Sequence, residues 1–404
     1  MDFDATRDAE FFSALPSRAG VLVIEMADSA ARPYLARTAD IRRAAERLLS
    51  VPEENSKLLN LRDVAARILY RVTGSKFEQS FVLYRQAREL FPGRYRDVLR
   101  LRPPAVLKVN LRSEYPRCFV TRRIRADGGF YFGPFASRGA ADAFAEEFLD
   151  LFKIRRCQIK IRRDPSFPGC IYSEMKMCLA PCFAGCTKEE YDAEAGRAVA
   201  TLDTTDAALT TKFEREREEA SEALDFERAA VLHKRMEKVS DTLRGLPELA
   251  QRIDHLDAVI LQRAAEEKTI AVFPLRAGVL EEPIFLRFGE ISSEPRSVEA
   301  FLRQALQKEI KPDERESEIE KDADRQRDSN APDNPEKPDV NWRRHYGLRA
   351  ASPELTEHLS LVARWFYSKP REGEILFREA EWPYRRILRA CGRLLIPPGS
   401  EPRN

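Results

Sequence analysis

No stretch of this chain is apolar for long enough to span a bilayer. Its first residues, MDFDATRDAEFFSALPSRAG, have neither a basic n-region nor a long apolar core. The expectation is a soluble, cytoplasmic protein with no membrane partner. Net charge is nearly absent as well. Lys plus Arg number 68 and Asp plus Glu 66, leaving +2, so any affinity for nucleic acid must come from local basic patches. Cysteine is sparse, with seven among 404 residues. Without an export signal these cysteines argue against a disulfide framework, and ligation becomes the leading explanation where they cluster. What is abundant is apolar residue, 43%, and charge, 33%, enough for buried cores beneath a heavily charged surface. At this length the chain divides into two to four domains.

Four of the cysteines fall in CQIKIRRDPSFPGCIYSEMKMCLAPC, with the spacing C-x12-C-x7-C-x3-C. Structural zinc usually uses paired short knuckles, whereas an iron–sulfur cube needs four thiolates converging on a larger object and tolerates uneven spacing. The uneven spacing fits a cluster better than zinc. Cys186, four residues past Cys182, is either a replacement ligand or a spare thiol. The stretch CIYSEMKMCLAPCFAGCTKEEY resembles the cysteine-rich domain of UvrC, the C subunit of the bacterial excinuclease ABC. That resemblance implies a 4Fe-4S cluster held by Cys157, Cys170, Cys178 and Cys182, with Cys186 outside the pattern.

Upstream, YPRCFVTRRIRADGGFYFGPFAS reads as a strand, a turn at Asp127-Gly128-Gly129 and a second strand, hence a hairpin. Arg122, Arg123 and Arg125 near Tyr131 and Phe132 mix phosphate-seeking guanidinium groups with stacking rings. A hairpin with core aromatics and solvated arginines fits the residues equally well. The resemblance of FVTRRIRADGGFYFGPF to the run linking the two N-terminal parts of UvrC implies DNA contact. Downstream, residues 188–248 are helical in composition and read as two helices, with Asp225 marking a helix start. By pattern alone this is a plain antiparallel pair. LDFERAAVLHKRME, however, looks like the UVR motif through which UvrC meets UvrB. The resemblance makes Phe226 the buried anchor, surrounded by Leu224, Ala229, Ala230 and Leu232. His233 has no second His or Cys beside it and is not read as a ligand.

From Ile253 to Ile291 the apolar period changes to two, which reads as strands, followed by a helix at SVEAFLRQALQKEI. The run from about 308 to 345 has almost no aliphatic residues and is expected to be a disordered insertion. Helix, strand and helix follow, and no second nuclease domain remains to be placed.

Residues 14–92 resemble the GIY-YIG nuclease domain of UvrC in layout: strand, turn, strand, helix, then strand, helix. That chemistry needs two tyrosines, an arginine for the phosphate and a glutamate for a divalent metal. Laid over the pattern, the first tyrosine falls on Leu22, the arginine on Ala44 and the metal glutamate on Leu83. Tyr34 and Arg37 are the remaining candidate catalytic residues. Glu78 and Glu89 are a helical turn or more away from the carboxylate position and do not obviously substitute for it.

The fold class expected is α+β multidomain. Its parts are a degenerate GIY-YIG-like domain at 14–100, a linking β-hairpin and helix at 101–150, a cysteine-rich iron–sulfur domain at 151–200, a UVR helical hairpin at 201–248 and a small α/β domain at 253–404. The function implied is a nucleotide excision repair protein that binds damaged double-stranded DNA and UvrB without cutting at its N-terminal site. Two alternatives stay open: a working endonuclease, which alone would need Mg2+, and a UvrB-binding scaffold without DNA contact.

Overall fold

The structure is a computed structural model and describes residues 1–4, 6–52, 58–204, 207–289, 298–307 and 342–396. The N-terminal part runs α1 (Asp8–Ala14), β1 (Gly20–Met26), β2 (Tyr34–Thr38), α2 (Ile41–Leu49), β3 (Ala65–Val72) and α3 (Lys76–Leu90). β1 is the central strand of an antiparallel sheet ordered β2-β1-β3. The Asp40 side chain starts α2 by accepting the Arg43 N–H, and Ser75 starts α3 by accepting that of Glu78. Leu22, Ile24 and Ile68 of the sheet pack on Ile41, Ala45 and Leu48 of α2.

α3 also carries Phe77, Phe81 and Tyr84 at helical spacing, and this stripe packs on the C-terminal part of the chain rather than on its own sheet. Phe77 meets Phe273 edge-on at 5.0 Å, and Phe81 meets the same ring at 5.8 Å. α3 and the C-terminal sheet therefore share a core.

After α4 (Tyr95–Leu99) come β4 (Ala105–Val109), β5 (Cys118–Thr121), β6 (Phe130–Phe135) and α5 (Arg138–Leu149). The expected hairpin is corrected here. β5 and β6 do not pair with each other, because β4 lies between them, with Lys108 opposite Phe119 on one side and Tyr131 on the other. AVLKV is buried along nearly its whole length, so it shows no alternation that would have marked it as a strand.

The cysteine segment has little regular structure beyond α6 (Ile171–Glu174) and a 3-10 turn at Pro181–Phe183. Three helices follow instead of two: α7 (Lys188–Thr204), α8 (Ala207–Glu222) and α9 (Phe226–Arg244). Thr187 and Glu190 bond each other's backbone N–H at the start of α7, a capping box. Tyr191, Ala195, Ala198 and Val199 of α7 belong to the core of the middle sheet, leaving α8 and α9 as the hairpin.

β7 (Gln251–Arg252) closes the middle sheet against β6. A five-stranded antiparallel sheet then forms from β8 (Ala258–Arg263), β9 (Thr269–Arg276), β10 (Val279–Leu280), β11 (Ile284–Arg287) and β12 (Glu374–Phe377). Both of its faces are covered. Ile260 and Phe273 point toward α3 and α12 (Leu355–Phe366), while Val259 and Val272 point toward α10 (Val298–Leu306) and α13 (Tyr384–Leu395).

Most of the expected insertion, residues 308–341, lies outside the described residues. Its end is corrected: Trp342–Tyr346 form a short helix, α11, anchored where Arg343 donates to the carbonyls of Leu111, Ser113 and Glu114. Among the described residues no helix is long and apolar enough to cross a membrane.

His358 on α12 gives this shared core a pH dependence. It is 4% exposed, and its Nδ1 accepts the Leu280 N–H at 3.0 Å. Burial, then the Arg88 charge, lowers its pKa from 6.5 to about 4. The unfolded chain takes up this proton near pH 6.5, whereas the folded chain refuses it until about pH 4. Stability is therefore full above that window and falls as the pH is lowered through it, by about 3 kcal/mol in total. Urea unfolding at pH 7 and pH 4.5 checks this. His358→Gln should reduce the loss, and an unchanged loss would assign it to other groups.

Candidate functional site

Residues of α7 set the chain leading to the first cysteine. The Tyr191 hydroxyl accepts the Arg155 N–H and donates to the Pro116 carbonyl, and Glu194 accepts the Lys153 N–H. Arg155 itself is 6% exposed. Its guanidinium donates to the carbonyls of Tyr115 and Ile159 and approaches the Cys157 sulfur at 3.9 Å, with no carboxylate partner among the described residues. A buried guanidinium without a counter-ion is costly. The residue was visible in sequence only as half of an Arg-Arg pair.

The loop beyond it is tightly wound, with left-handed backbone at Gly169, Lys176, Ala180 and Ala184. Burial pushes the Cys178 thiol up to about 11; the Ala180 N–H bond opposes this, and Cys157, Cys182 and Cys170 push further. Cys182 is raised by burial first and also feels Cys170 and Cys157. Among the described residues, however, no three His, Cys, Asp or Glu side chains are gathered as a single metal ion would require. Four soft thiol donors in one irregular loop are the donor chemistry that an iron–sulfur group would use. Cys186 is 6% exposed within the apolar core around Tyr191.

The basic loop between β5 and β6 divides the five residues expected to meet DNA. Arg122, Arg123 and Arg125 are exposed. Tyr131 and Phe132 are 1% and 0% exposed, so the expectation that their rings stack on bases is corrected. The Tyr131 hydroxyl donates to Asp127 and accepts the Arg125 N–H, with the Lys108 ammonium 4.9 Å from its ring, and so holds the turn in shape. Phe132 stacks on Phe144 of α5 at 6.1 Å.

In the N-terminal sheet, Leu22 is 0% and Ala44 8% exposed, both inside one apolar core, and Leu83 is half-buried. Tyr34 and Arg37 are three apart on β2 and so point to opposite faces. They do not converge on one reacting atom. Glu78 is buried and its carboxylate accepts the Gly74 N–H at 2.7 Å; burial raises its pKa. Arg42 is committed to the carbonyls of Leu15 and Ser13.

At the far end of the α8–α9 hairpin, the Asp225 side chain accepts the Arg228 N–H and starts α9. Leu224 sits in the connecting turn at φ +59°, and Leu224 and Phe226 are 72% and 67% exposed. Ala229 is half-buried and Ala230 exposed. Leu232 is 6% exposed, so its expected place beside a partner is corrected: it is buried within this chain.

Residues 105–201 match the middle domain of the UvrC/Cho excinucleases, and residues 208–242 match the UvrB/uvrC motif. The chain is 30% identical over 204 residues to the UvrABC system protein C of Desulfatibacillum aliphaticivorans, covering 50% of this chain and 34% of that one. It is 30% identical over 201 residues to that of a Thermoanaerobacter species, covering 49% and 33%. To the Dehalococcoides mccartyi protein it is 28% identical over 214 residues, covering 52% and 35%. The chain spans about a third of the length of the curated relatives it matches. No solved structure matches it. The middle sheet with the cysteine segment is therefore similar to the UvrC/Cho middle domain, and the α8–α9 hairpin to the UvrB/uvrC motif.

Proposed function

We propose that the chain is a nucleotide excision repair protein of the UvrC type, working in the cytoplasm, that docks on UvrB and binds damaged DNA without cutting at its N-terminal domain. The observation that carries the docking is the exposed Leu224–Phe226 tip inside the matched UVR segment. An aromatic left in water at the end of a helix pair suits a partner's pocket better than a solvated surface. Cys157, Cys170, Cys178 and Cys182 would hold a 4Fe-4S cluster, which would order this otherwise irregular segment. Buried Arg155 would offset the negative charge of the thiolates. Arg122, Arg123 and Arg125 would take DNA phosphates.

The silent N-terminal site rests on Leu22 and Ala44 being core residues, which leaves no phenol at the first tyrosine position and no guanidinium at the helix position, while Tyr34 and Arg37 point to opposite faces. A nicking assay on lesion-bearing duplex with UvrA, UvrB and Mg2+ tests this. The expected result is no incision by this chain. Mg2+-dependent incision that disappears with Tyr34→Phe would establish the working nuclease instead.

A further inference from the structure

The exposed arginines of the β5–β6 loop stand on a backbone that is fixed from within the protein. β4 is buried along nearly its whole length, yet it carries Lys108, whose side chain is 13% exposed. That lysine pairs with Asp127 of the loop and lies 4.9 Å from the Tyr131 ring. Gly129 leaves it room, since a β-carbon there would come within 2.7 Å of Lys108 Cε. With one Asp127 oxygen taken by Lys108, the other accepts the Gly129 N–H at 3.1 Å and the Tyr131 hydroxyl at 3.0 Å. The same hydroxyl accepts the Arg125 N–H at 3.2 Å, so the aspartate acts on the arginine run through the tyrosine. A second clamp comes from outside the two matched segments. The Leu348 carbonyl accepts the Gly128 N–H at 2.8 Å, and the Leu348 N–H donates to the Gly129 carbonyl at 2.9 Å.

A carboxylate two residues past Arg125 opposes the approach of a polyanion, so charge alone gives no reason for it. Its bonds do. Arginine side chains lose conformational freedom when they settle on phosphates, and a backbone already held in place lowers the cost of ordering the loop. We propose that Asp127 and Tyr131 are positioning residues for DNA contact: neither touches the phosphates, and together they hold the backbone that presents Arg123 and Arg125. Lys108 offsets the Asp127 charge and lets the carboxylate sit under a basic loop. This rests on the DNA-binding reading of the loop and adds what sets its geometry.

The test compares Asp127→Asn with Asp127→Ala in the intact chain, titrated against a labelled lesion-bearing duplex at about 50 and 200 mM salt. Both variants remove the same negative charge. Asparagine keeps an oxygen for the Tyr131 hydroxyl and the Gly129 N–H, whereas alanine keeps none. The expected result is parental or tighter binding by Asp127→Asn and about five-fold weaker binding by Asp127→Ala. Tyr131→Phe changes no charge and keeps the ring packed, and the Leu348 clamp still holds the turn. It should weaken binding by a similar factor with the salt dependence unchanged, because no phosphate contact is deleted. Arg123→Ala with Arg125→Ala should instead flatten the salt dependence. Thermal melts on each preparation identify any variant that has lost the fold. Equal affinity of Asp127→Asn and Asp127→Ala, or parental affinity in Tyr131→Phe, would reduce the loop to a patch of charge and overturn the positioning role while leaving the DNA reading standing. Absence of salt-sensitive DNA binding by the parent chain would overturn the DNA reading itself, and the positioning role with it.

Discussion

Cys157→Ser, Cys170→Ser, Cys178→Ser and Cys182→Ser are each expected to purify anaerobically with little or no iron, against about four irons for the parent chain. Cys186→Ser should keep its iron and its broad visible absorbance. The difference comes from where the sulfurs lie. The first four sit in a loop with little regular structure. Cys186 is packed in the core around Tyr191, where serine would bury a hydroxyl in apolar surroundings. Its replacement should cost about 1–3 kcal/mol of stability rather than metal. Arg155→Met is the more demanding variant. It changes no sulfur, yet it removes the buried cation beside Cys157 and the bonds that hold its backbone. Iron content should fall with it. Full iron in Arg155→Met would make the arginine a structural tie only, and full iron in any of the first four serine variants would break the ligand assignment.

The contrast between Arg155 and Arg156 shows where the sequence could be read and where it could not. Adjacent and identical, one is buried with carbonyl partners and the other pairs with Asp150. Nothing in their order distinguishes them, because the difference is imposed by Tyr191, thirty-six residues away. The cysteine spacing and the Asp225 helix start are local features, and their signals survive in one dimension. β4 was missed because a strand buried on both faces has no period to detect. The stripe of Phe77, Phe81 and Tyr84 was readable as an apolar helix face, but its docking on Phe273 was not, since a stripe does not name its partner. Tyr131 and Phe132 showed the opposite failure. Aromatics beside arginines resemble a stacking platform until burial places the rings inward. Glu357 was hidden for a related reason: a glutamate in an amphipathic helix reads as solvent-facing, and only packing beside Arg96 and Tyr95 buries it.

Phe226→Ala is expected to weaken UvrB binding by about 2 kcal/mol, roughly thirty-fold, as for a buried aromatic at the centre of an interface. The stability of the free chain should change by no more than about 0.5 kcal/mol, because the ring is already mostly in water. Leu224 allows a sharper test, since its two roles pull in opposite directions. At φ +59° a leucine holds the left-handed conformation that costs an L-residue with a β-carbon about 1–2 kcal/mol and glycine almost nothing. If the turn were only a connection, leucine would be a poor residue for it. The 72% exposed side chain gains no burial within this chain to offset the strain. Leu224→Gly should therefore raise the free chain's thermal midpoint slightly while weakening its affinity for UvrB. Thermal melts and binding titrations on the same preparation separate these effects. Opposite signs would identify the turn as strained for docking, whereas unchanged affinity would mean that the tip does not face UvrB.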